Sequence, residues 1–303
     1  MTKEITVVYP PHESERVIHY QGPEGTVWLS RERNNSMPNV FIGWDACPHP
    51  KPEDSLYMLE PIVVRSQDYN VQYLSRFKKV FGCFDKCFEN TIIKDKYISV
   101  NYGSTLCPED ADYLKSKWIP WEERINGVVV VSSSKTSTDS QSIYHLREQL
   151  ADCFYDNGYK VAWFGGIPHN KRKPFFNGFL KDKIAEITKY KFHVCTENTY
   201  DPIYSYNYLT EKLPHAINGG AVPLYMGCYN VEELIPERGY FDLRPFVENK
   251  SLKQKEFIQA IKSYSKQDFE TYNKIAYNFM KDPNGLFHHT DMKRAYKKML
   301  ENL

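Results

Sequence analysis

The densest run of side chains able to do chemistry lies between Thr196 and Lys212: Thr196-Glu197-Asn198, a tyrosine-rich stretch, then Tyr208-Leu209-Thr210-Glu211-Lys212. Thr210 is a residue type that caps helices. It predicts a short helix reaching Asn218, with Glu211 and Lys212 in the first turn and Pro214 near enough to the start to be tolerated. The unpaired N–H groups and dipole of a helix start attract anions, and a lysine there adds a full positive charge. Together they suit a diphosphate held without a metal. Glu211 can accept hydrogen bonds from ribose or sugar hydroxyls, or balance charge on a departing sugar. A Glu-Lys pair in this place is equally the ordinary composition of a capped, solvated helix end.

Other motifs are informative by their absence. The chain has no Gly-x-x-x-x-Gly-Lys-Ser/Thr phosphate loop, no Gly-x-Gly-x-x-Gly fingerprint and no Gly-x-Ser-x-Gly nucleophile turn. An ordinary P-loop NTPase, a typical dehydrogenase and an α/β-hydrolase all lose ground. Asp110-Ala111-Asp112 has the Asp-x-Asp form that bridges a divalent ion to a diphosphate. Pro108 and Glu109 before it and Tyr113-Leu114 after it instead mark a helix start, where acids complement the dipole. The seven cysteines are dispersed, the pattern of reduced thiols. Cys83 and Cys87 fit one helix face and half a metal site, but no second pair completes four ligands.

These residues must be carried by alternating strands and helices. Ile5 to Tyr9, Val40 to Gly43, Leu56 to Leu59 and Lys79 to Phe84 read as buried strands, separated by loops marked by Pro10-Pro11 and Pro48-His49-Pro50. A second unit starts at Gly127-Val128-Val129-Val130-Val131, passes through a polar loop from Ser132, and continues into the helical pattern Ile143, Leu146, Leu150, Phe154. Val161 to Phe164, Phe192 to Cys195 and Ala221 to Tyr225 supply further parallel strands, the last preceded by Asn218-Gly219-Gly220 just past a helix end. Such a doubly wound sheet places ligands outside the carboxyl ends of its strands. The last fifty or so residues carry helical spacing, a turn at Asp282-Pro283-Asn284-Gly285, and Thr290 as cap of a final helix.

Length and composition frame this reading. At 303 residues the chain exceeds what one core usually serves, favouring two domains of about 150 residues. A 41% apolar and 25% charged composition is that of a packed globular protein, and 39 basic against 38 acidic side chains provide no global field for nucleic acid. No apolar stretch approaches the roughly 18 residues of a membrane-spanning helix, and the first residues lack the apolar segment of a signal peptide, so a cytoplasmic chain is expected.

Tyr190-Lys191-Phe192-His193-Val194-Cys195-Thr196-Glu197-Asn198, then Tyr208 to Lys212, then Gly220-Ala221-Val222-Pro223-Leu224-Tyr225-Met226-Gly227 resemble the donor-binding signature of the α1,3-fucosyltransferases of glycosyltransferase family 10. Tyr240 to Phe246 resembles the segment that closes the family motif. The resemblance implies an α/β GT-B fold, two Rossmann-like domains facing a cleft, with C-terminal packing helices. Residues 1–125 would form the acceptor-side domain, 126–280 the GDP-sugar domain, and 281–303 a helix packing back on the body. Asn198, Tyr208, Glu211 and Lys212 match family positions that touch the donor. Thr196 departs from the family, replacing a usual Phe. The loop from Tyr200 to Asn207 is longer than in similar bacterial members, and its tyrosines are placed to reshape the sugar pocket. The family also sets an arginine against the diphosphate. Among Lys171, Arg172 and Lys173, Arg172 is the choice because its contact is bidentate, although a solvated basic run reads the same way.

Leu56 to Val64 is similar to the family's strand-Glu-Pro segment and makes Glu60 the expected base, with Glu53 and Asp45 as fallbacks. The implied activity is inverting transfer of L-fucose from GDP-β-L-fucose to an oligosaccharide hydroxyl, with no cofactor or metal. The alternatives are a transferase using another nucleotide sugar, or a non-catalytic glycan-binding protein of the same fold.

Overall fold

In the computed structural model, residues 3–10, 18–100, 102, 111–133, 135–166, 173–282 and 291–303 are described. Ile5–Val8, Val40–Ile42 and Leu56–Met58 are buried without interruption, as expected of parallel strands covered on both faces. They belong to a seven-stranded sheet of β1 (Lys3–Val8), β2 (Tyr20–Gly22), β3 (Gly25–Ser30), β4 (Asn39–Ile42), β5 (Ser55–Met58), β6 (Lys79–Gly82) and β7 (Tyr97–Ser99). The order is β2-β3-β1-β4-β5-β6-β7, and every pairing is parallel except that of β2 with β3. Sequence pattern identifies β1, β4, β5 and β6. It misses β3, which is only partly buried, and β2 and β7, which are three residues each.

Two short helices follow, α1 (Val71–Leu74) and α2 (Asp85–Phe88). Asn70 caps α1, its side chain accepting from Gln72 and Tyr73. Because α2 begins at Asp85, Cys83 lies outside it and does not share a helix face with Cys87. Among the described residues no three His, Cys, Asp or Glu side chains are grouped to hold a metal ion.

The second unit opens with α3 (Ala111–Ser116), which carries Asp112 in its first turn; Asp110 lies outside the described residues. Asp112 pairs with Lys281 at 3.3 Å, a structural role at a helix start. Residues 111–121, expected in the first domain, pack Ala111, Leu114, Trp118 and Trp121 against the second core. From there run β8 (Ile125–Val131), α4 (His145–Asp156), β9 (Lys160–Phe164), α5 (Lys183–Ile187), β10 (Tyr190–Thr196), α6 (Lys212–Asn218), β11 (Val222–Met226), α7 (Val231–Leu234) and β12 (Phe241–Asp242). The five strands form a parallel sheet in the order β12-β11-β10-β8-β9. Past α6, Gly220 has φ 62°, and a Cβ there would lie 2.6 Å from the Trp118 ring. Glycine is needed for both reasons.

Helices α8 (Gln254–Ser263) and α9 (Lys266–Lys281) bury Phe257, Ile261, Phe269, Tyr272 and Ala276 in the same core, and Ser265 with Asp268 forms a capping box on α9. The predicted turn from Pro283 and the Thr290 cap lie outside the described residues. The last helix, α10 (Met292–Asn302), is capped by Asp291, whose side chain accepts from Lys293. It returns to the first sheet, where Met292, Ala295, Tyr296, Met299 and Leu300 join the core of β1 to β7. Burial of the larger of these side chains contributes about 1.5–3 kcal/mol each.

Each sheet reverses winding direction once: between β1 and β4 in the first, between β8 and β10 in the second. The carboxyl edges of the two sheets meet. Phe84, after β6, stacks on Tyr208 with centroids 5.5 Å apart, and Asn207 Nδ2 donates to Asp85 Oδ2 at 2.7 Å.

Candidate active site

At the reversal point of the second sheet, β10 delivers Glu197 into a fully buried position. Its carboxylate accepts from the Thr210 backbone N–H at 2.9 Å, from the Thr210 hydroxyl at 2.8 Å and from Lys212 Nζ at 2.9 Å. A buried carboxylate is tolerated only with such partners. This modifies the expected helix cap: the Thr210 hydroxyl donates to Glu197, its oxygen accepts from Lys212 Nζ at 2.9 Å and only at 3.5 Å from the Lys212 backbone N–H, and Glu211, preceding the start of α6 at Lys212, makes no side-chain cap. The hydroxyl proton goes to the charged acceptor, and the lysine ammonium sits closer to its oxygen than the backbone amide does. The helix is also only seven residues long, so most of the positive potential comes from side chains. Lys212 retains 17% side-chain exposure and lies 3.9 Å from Glu211 Oε1.

A buried cation that the sequence reading misses lies beside this group. Arg147, on α4, is buried and donates from Nε to Thr196 Oγ1 at 3.2 Å. Its Nη2 donates to the carbonyls of Thr196 (2.9 Å) and Glu197 (3.1 Å) and to Asn198 Oδ1 (2.9 Å). Burial lowers its pKa from the ordinary arginine value. Arg147, Lys135 and Ser133 line a cavity of about 110 Å³ beyond the end of β8. The signal is present in the sequence: Arg147, Leu150 and Phe154 fall on one buried helix face, and a guanidinium there demands specific partners. The hydroxyl of Thr196 is one of those partners.

Arg172 and Lys171 lie outside the described residues. Lys173 is turned onto α4, 2.8 Å from Asp152 and 3.3 Å from Glu148. Asn198 bridges Arg147 and the Tyr208 hydroxyl, the latter at 3.4 Å. Tyr208 itself has no exposed surface: it sits between Phe84 and Tyr102 in the core of the first sheet. The preceding loop braces the two units. Tyr204 packs edge-on to Tyr69 at 6.1 Å, Cys87 Sγ meets the Ile203 carbonyl at 3.6 Å, and Asn207 adopts φ 61°.

Across the seam, Glu60 follows β5 and is 8% exposed. The Tyr69 hydroxyl donates to its carbonyl at 3.2 Å. On the facing side the Arg147 guanidinium lies 5.0 Å over the Tyr144 ring, and burial raises the Tyr144 hydroxyl to about 12 against the opposing effect of that charge. Of the fallback carboxylates, Asp45 lies on the same edge, paired with Arg65 at 3.4 Å. Glu53 precedes β5 and therefore sits at the opposite end of the strand, which removes it as a base. Asp68, also missed, is wholly buried near Glu60; its Oδ1 accepts from the Trp44 N–H at 2.7 Å, and burial raises its carboxyl to about 6.

The sequence model of glycosyltransferase family 10 (fucosyltransferase) C-term matches residues 122–281. The chain belongs to that family. A fucosyltransferase-like protein of Arabidopsis thaliana is 29% identical over 97 residues, 32% of this chain and 17% of the relative. An alpha-(1,4)-fucosyltransferase of the same plant is 38% identical over 56 residues, 18% of this chain and 13% of the relative. The chain thus matches less than a fifth of the length of either. Among solved structures, an alpha1,3-fucosyltransferase has a TM-score of 0.55 at 18% identity, covering 91% of this chain and 80% of its own. The same enzyme type with GDP-fucose has a TM-score of 0.53 at 17% identity, covering 99% and 91%. An alpha-glucosyltransferase bound to UDP and DNA has a TM-score of 0.57 at 10% identity, covering 100% and 99%. At these identities the likeness is one of fold, and the fold is GT-B.

Proposed function

We propose that this family 10 chain is an inverting transferase moving L-fucose from GDP-β-L-fucose to an oligosaccharide hydroxyl. One observation carries the reading: Asn198 joins the buried guanidinium of Arg147, at the reversal point of the second sheet, to Tyr208, which is packed in the core of the first sheet, whose strand β5 leads to the carboxylate of Glu60. Glu60 takes the proton of the acceptor hydroxyl as its oxygen bonds to the anomeric carbon. The bond from that carbon to the diphosphate oxygen breaks on the opposite face, and GDP leaves with the electron pair. Arg147 assumes the diphosphate role expected of Arg172, joined by Lys212. Both stand preorganised by fixed partners rather than by water. Asn198 and Glu211 orient the donor, and Tyr208 holds Asn198 from the first sheet. Charge on the leaving group is met by these side chains, so chelation should leave turnover unchanged.

The test is GDP release from GDP-fucose with a panel of galactose- and N-acetylglucosamine-containing acceptors, with UDP and GDP sugars in competition. Release only from a UDP sugar would replace the donor assignment. Tight glycan binding with no release from any donor would replace catalysis with recognition.

A further inference from the structure

A continuous chain of hydrogen bonds crosses the seam between the two sheets. Asn207 Nδ2 donates to Asp85 Oδ2 at 2.7 Å, and that oxygen also accepts from the Ser99 hydroxyl, at the end of β7, at 3.0 Å. On the other side, Asn207 Oδ1 accepts from Asn230 Nδ2 at 2.9 Å, and the Asn207 backbone N–H donates to Asn230 Oδ1 at 2.8 Å. Asn230 is itself buried, and its Nδ2 donates also to Glu233 Oε2 at 2.9 Å. An ionised carboxylate only accepts, so Asp85 and Glu233 at the two ends fix the orientation of both amides between them. Asn207 holds φ 61°, a conformation that asparagine tolerates better than most residues, and the chain turns there to send Tyr208 into the first core. The neighbouring crossings give no such direction: Lys86 lies over the Tyr206 ring at 4.8 Å, and Cys87 Sγ is 3.6 Å from the Ile203 carbonyl.

We propose that Asn207 is a positioning residue of the transfer step: through Asp85 it sets how far the edge carrying Glu60 stands from the edge carrying Arg147, Asn198 and Lys212. This rests on the transferase reading above. In that reading the acceptor oxygen and the anomeric carbon are brought together from opposite units, and a misplacement of about 1 Å in such a pair costs about a hundredfold in rate. A charge-assisted bond between an amide and a carboxylate is short and directional, which suits it to hold a spacing rather than merely to adhere. Arg147 on α4 and Lys212 on α6 both belong to the second unit, so GDP binding does not depend on the bond to Asp85.

The test is the single-turnover rate of transfer from bound GDP-fucose to the best acceptor of the panel, counted per GDP-binding site found by calorimetric titration. Asn207→Asp sets a second carboxylate against Asp85, where like charges repel, and Asn207→Gly keeps the left-handed backbone but removes the amide. Both should slow transfer about 10- to 100-fold while GDP affinity stays within about twofold. The double variant Asp85→Asn/Asn207→Asp exchanges amide and carboxylate across the seam and still accepts from Asn230. It should recover most of the rate lost in Asn207→Asp. A wild-type rate in both single variants overturns the positioning role, as does a double variant no faster than Asn207→Asp. Loss of rate matched by equal loss of GDP-binding sites reduces the contact to a folding role and overturns it too. A wild-type protein that binds no GDP, or transfers to no acceptor, overturns the transferase reading instead, and the positioning role falls with it.

Discussion

Arg147 and Thr196 are joined by two hydrogen bonds, one from Nε to the threonine hydroxyl at 3.2 Å and one from Nη2 to its carbonyl at 2.9 Å. The first exists only because the strand carries a hydroxyl at this position. Thr196→Val keeps the shape and removes that acceptor. It should lower stability by about 1–2 kcal/mol, the range for an orphaned buried donor, and weaken GDP binding severalfold. Denaturant melts and calorimetric titration with GDP measure the two effects separately.

Arg147→Lys keeps the charge but not the planar fork that reaches Asn198 and two carbonyls. GDP affinity should drop about 10- to 100-fold, the equivalent of one or two charge-assisted bonds. Equal GDP affinity in wild type and variant would remove Arg147 from the diphosphate site.

Glu60→Gln replaces a carboxylate with an amide of the same size. Turnover should fall at least a hundredfold while GDP-fucose affinity stays within about twofold, since a general base acts in the transition state and not on the bound donor. Initial rates and donor titrations on one preparation make the comparison.

Tyr208→Ala should cost about 3–5 kcal/mol, because a wholly buried ring between Phe84 and Tyr102 leaves a cavity shared by both units. Tyr208→Phe retains the ring and loses only the 3.4 Å contact to Asn198, so it should melt near wild type. Thermal unfolding of the pair distinguishes packing from hydrogen bonding.

Stability should decline on mild acidification. His193 and His215 are both buried, with Nε2 atoms that lack hydrogen-bond partners. Burial, with nearby positive charge, pushes His215 down to about 3 and His193 well below its ordinary value. Each folded-state pKa lies below the unfolded one near 6.5, so the unfolded chain binds more protons as pH falls from about 6.5 toward 3. The loss approaches about 1.4 kcal/mol per pH unit for each histidine. Asp68, raised to about 6, works oppositely between roughly pH 6 and 4, but it is one group against two. Melting temperatures from pH 7 to 5 should fall steadily, and His215→Leu should flatten the slope.

Legibility from the chain followed burial and locality. β1, β4 and β5 are readable because each carries a short run of apolar and β-branched residues, whereas β3 alternates too weakly and takes its identity from pairing with β1. Glu60 and Lys212 stand out as candidates in the sequence because each sits beside a strand end or turn signal. Arg147 was hidden within a helix whose apolar periodicity drew attention to its neighbours, and its partners lie 49 to 51 residues away. At Thr210 the local preference to cap a helix is reduced to a 3.5 Å contact from the Lys212 N–H, because the side chain is also held by a buried carboxylate thirteen residues earlier, invisible until β10 and α6 are side by side.

The final helix leaves the second unit and completes the first, with Lys297 on Glu24 and Lys3 on the Glu301 carbonyl closing the join. Residues at opposite ends of the polypeptide therefore share one folding unit, and neither half can be dissected at a single cut. A fragment ending near residue 110 would be born with a bare apolar flank, and a peptide spanning 291–303 should be the piece that rescues it in trans.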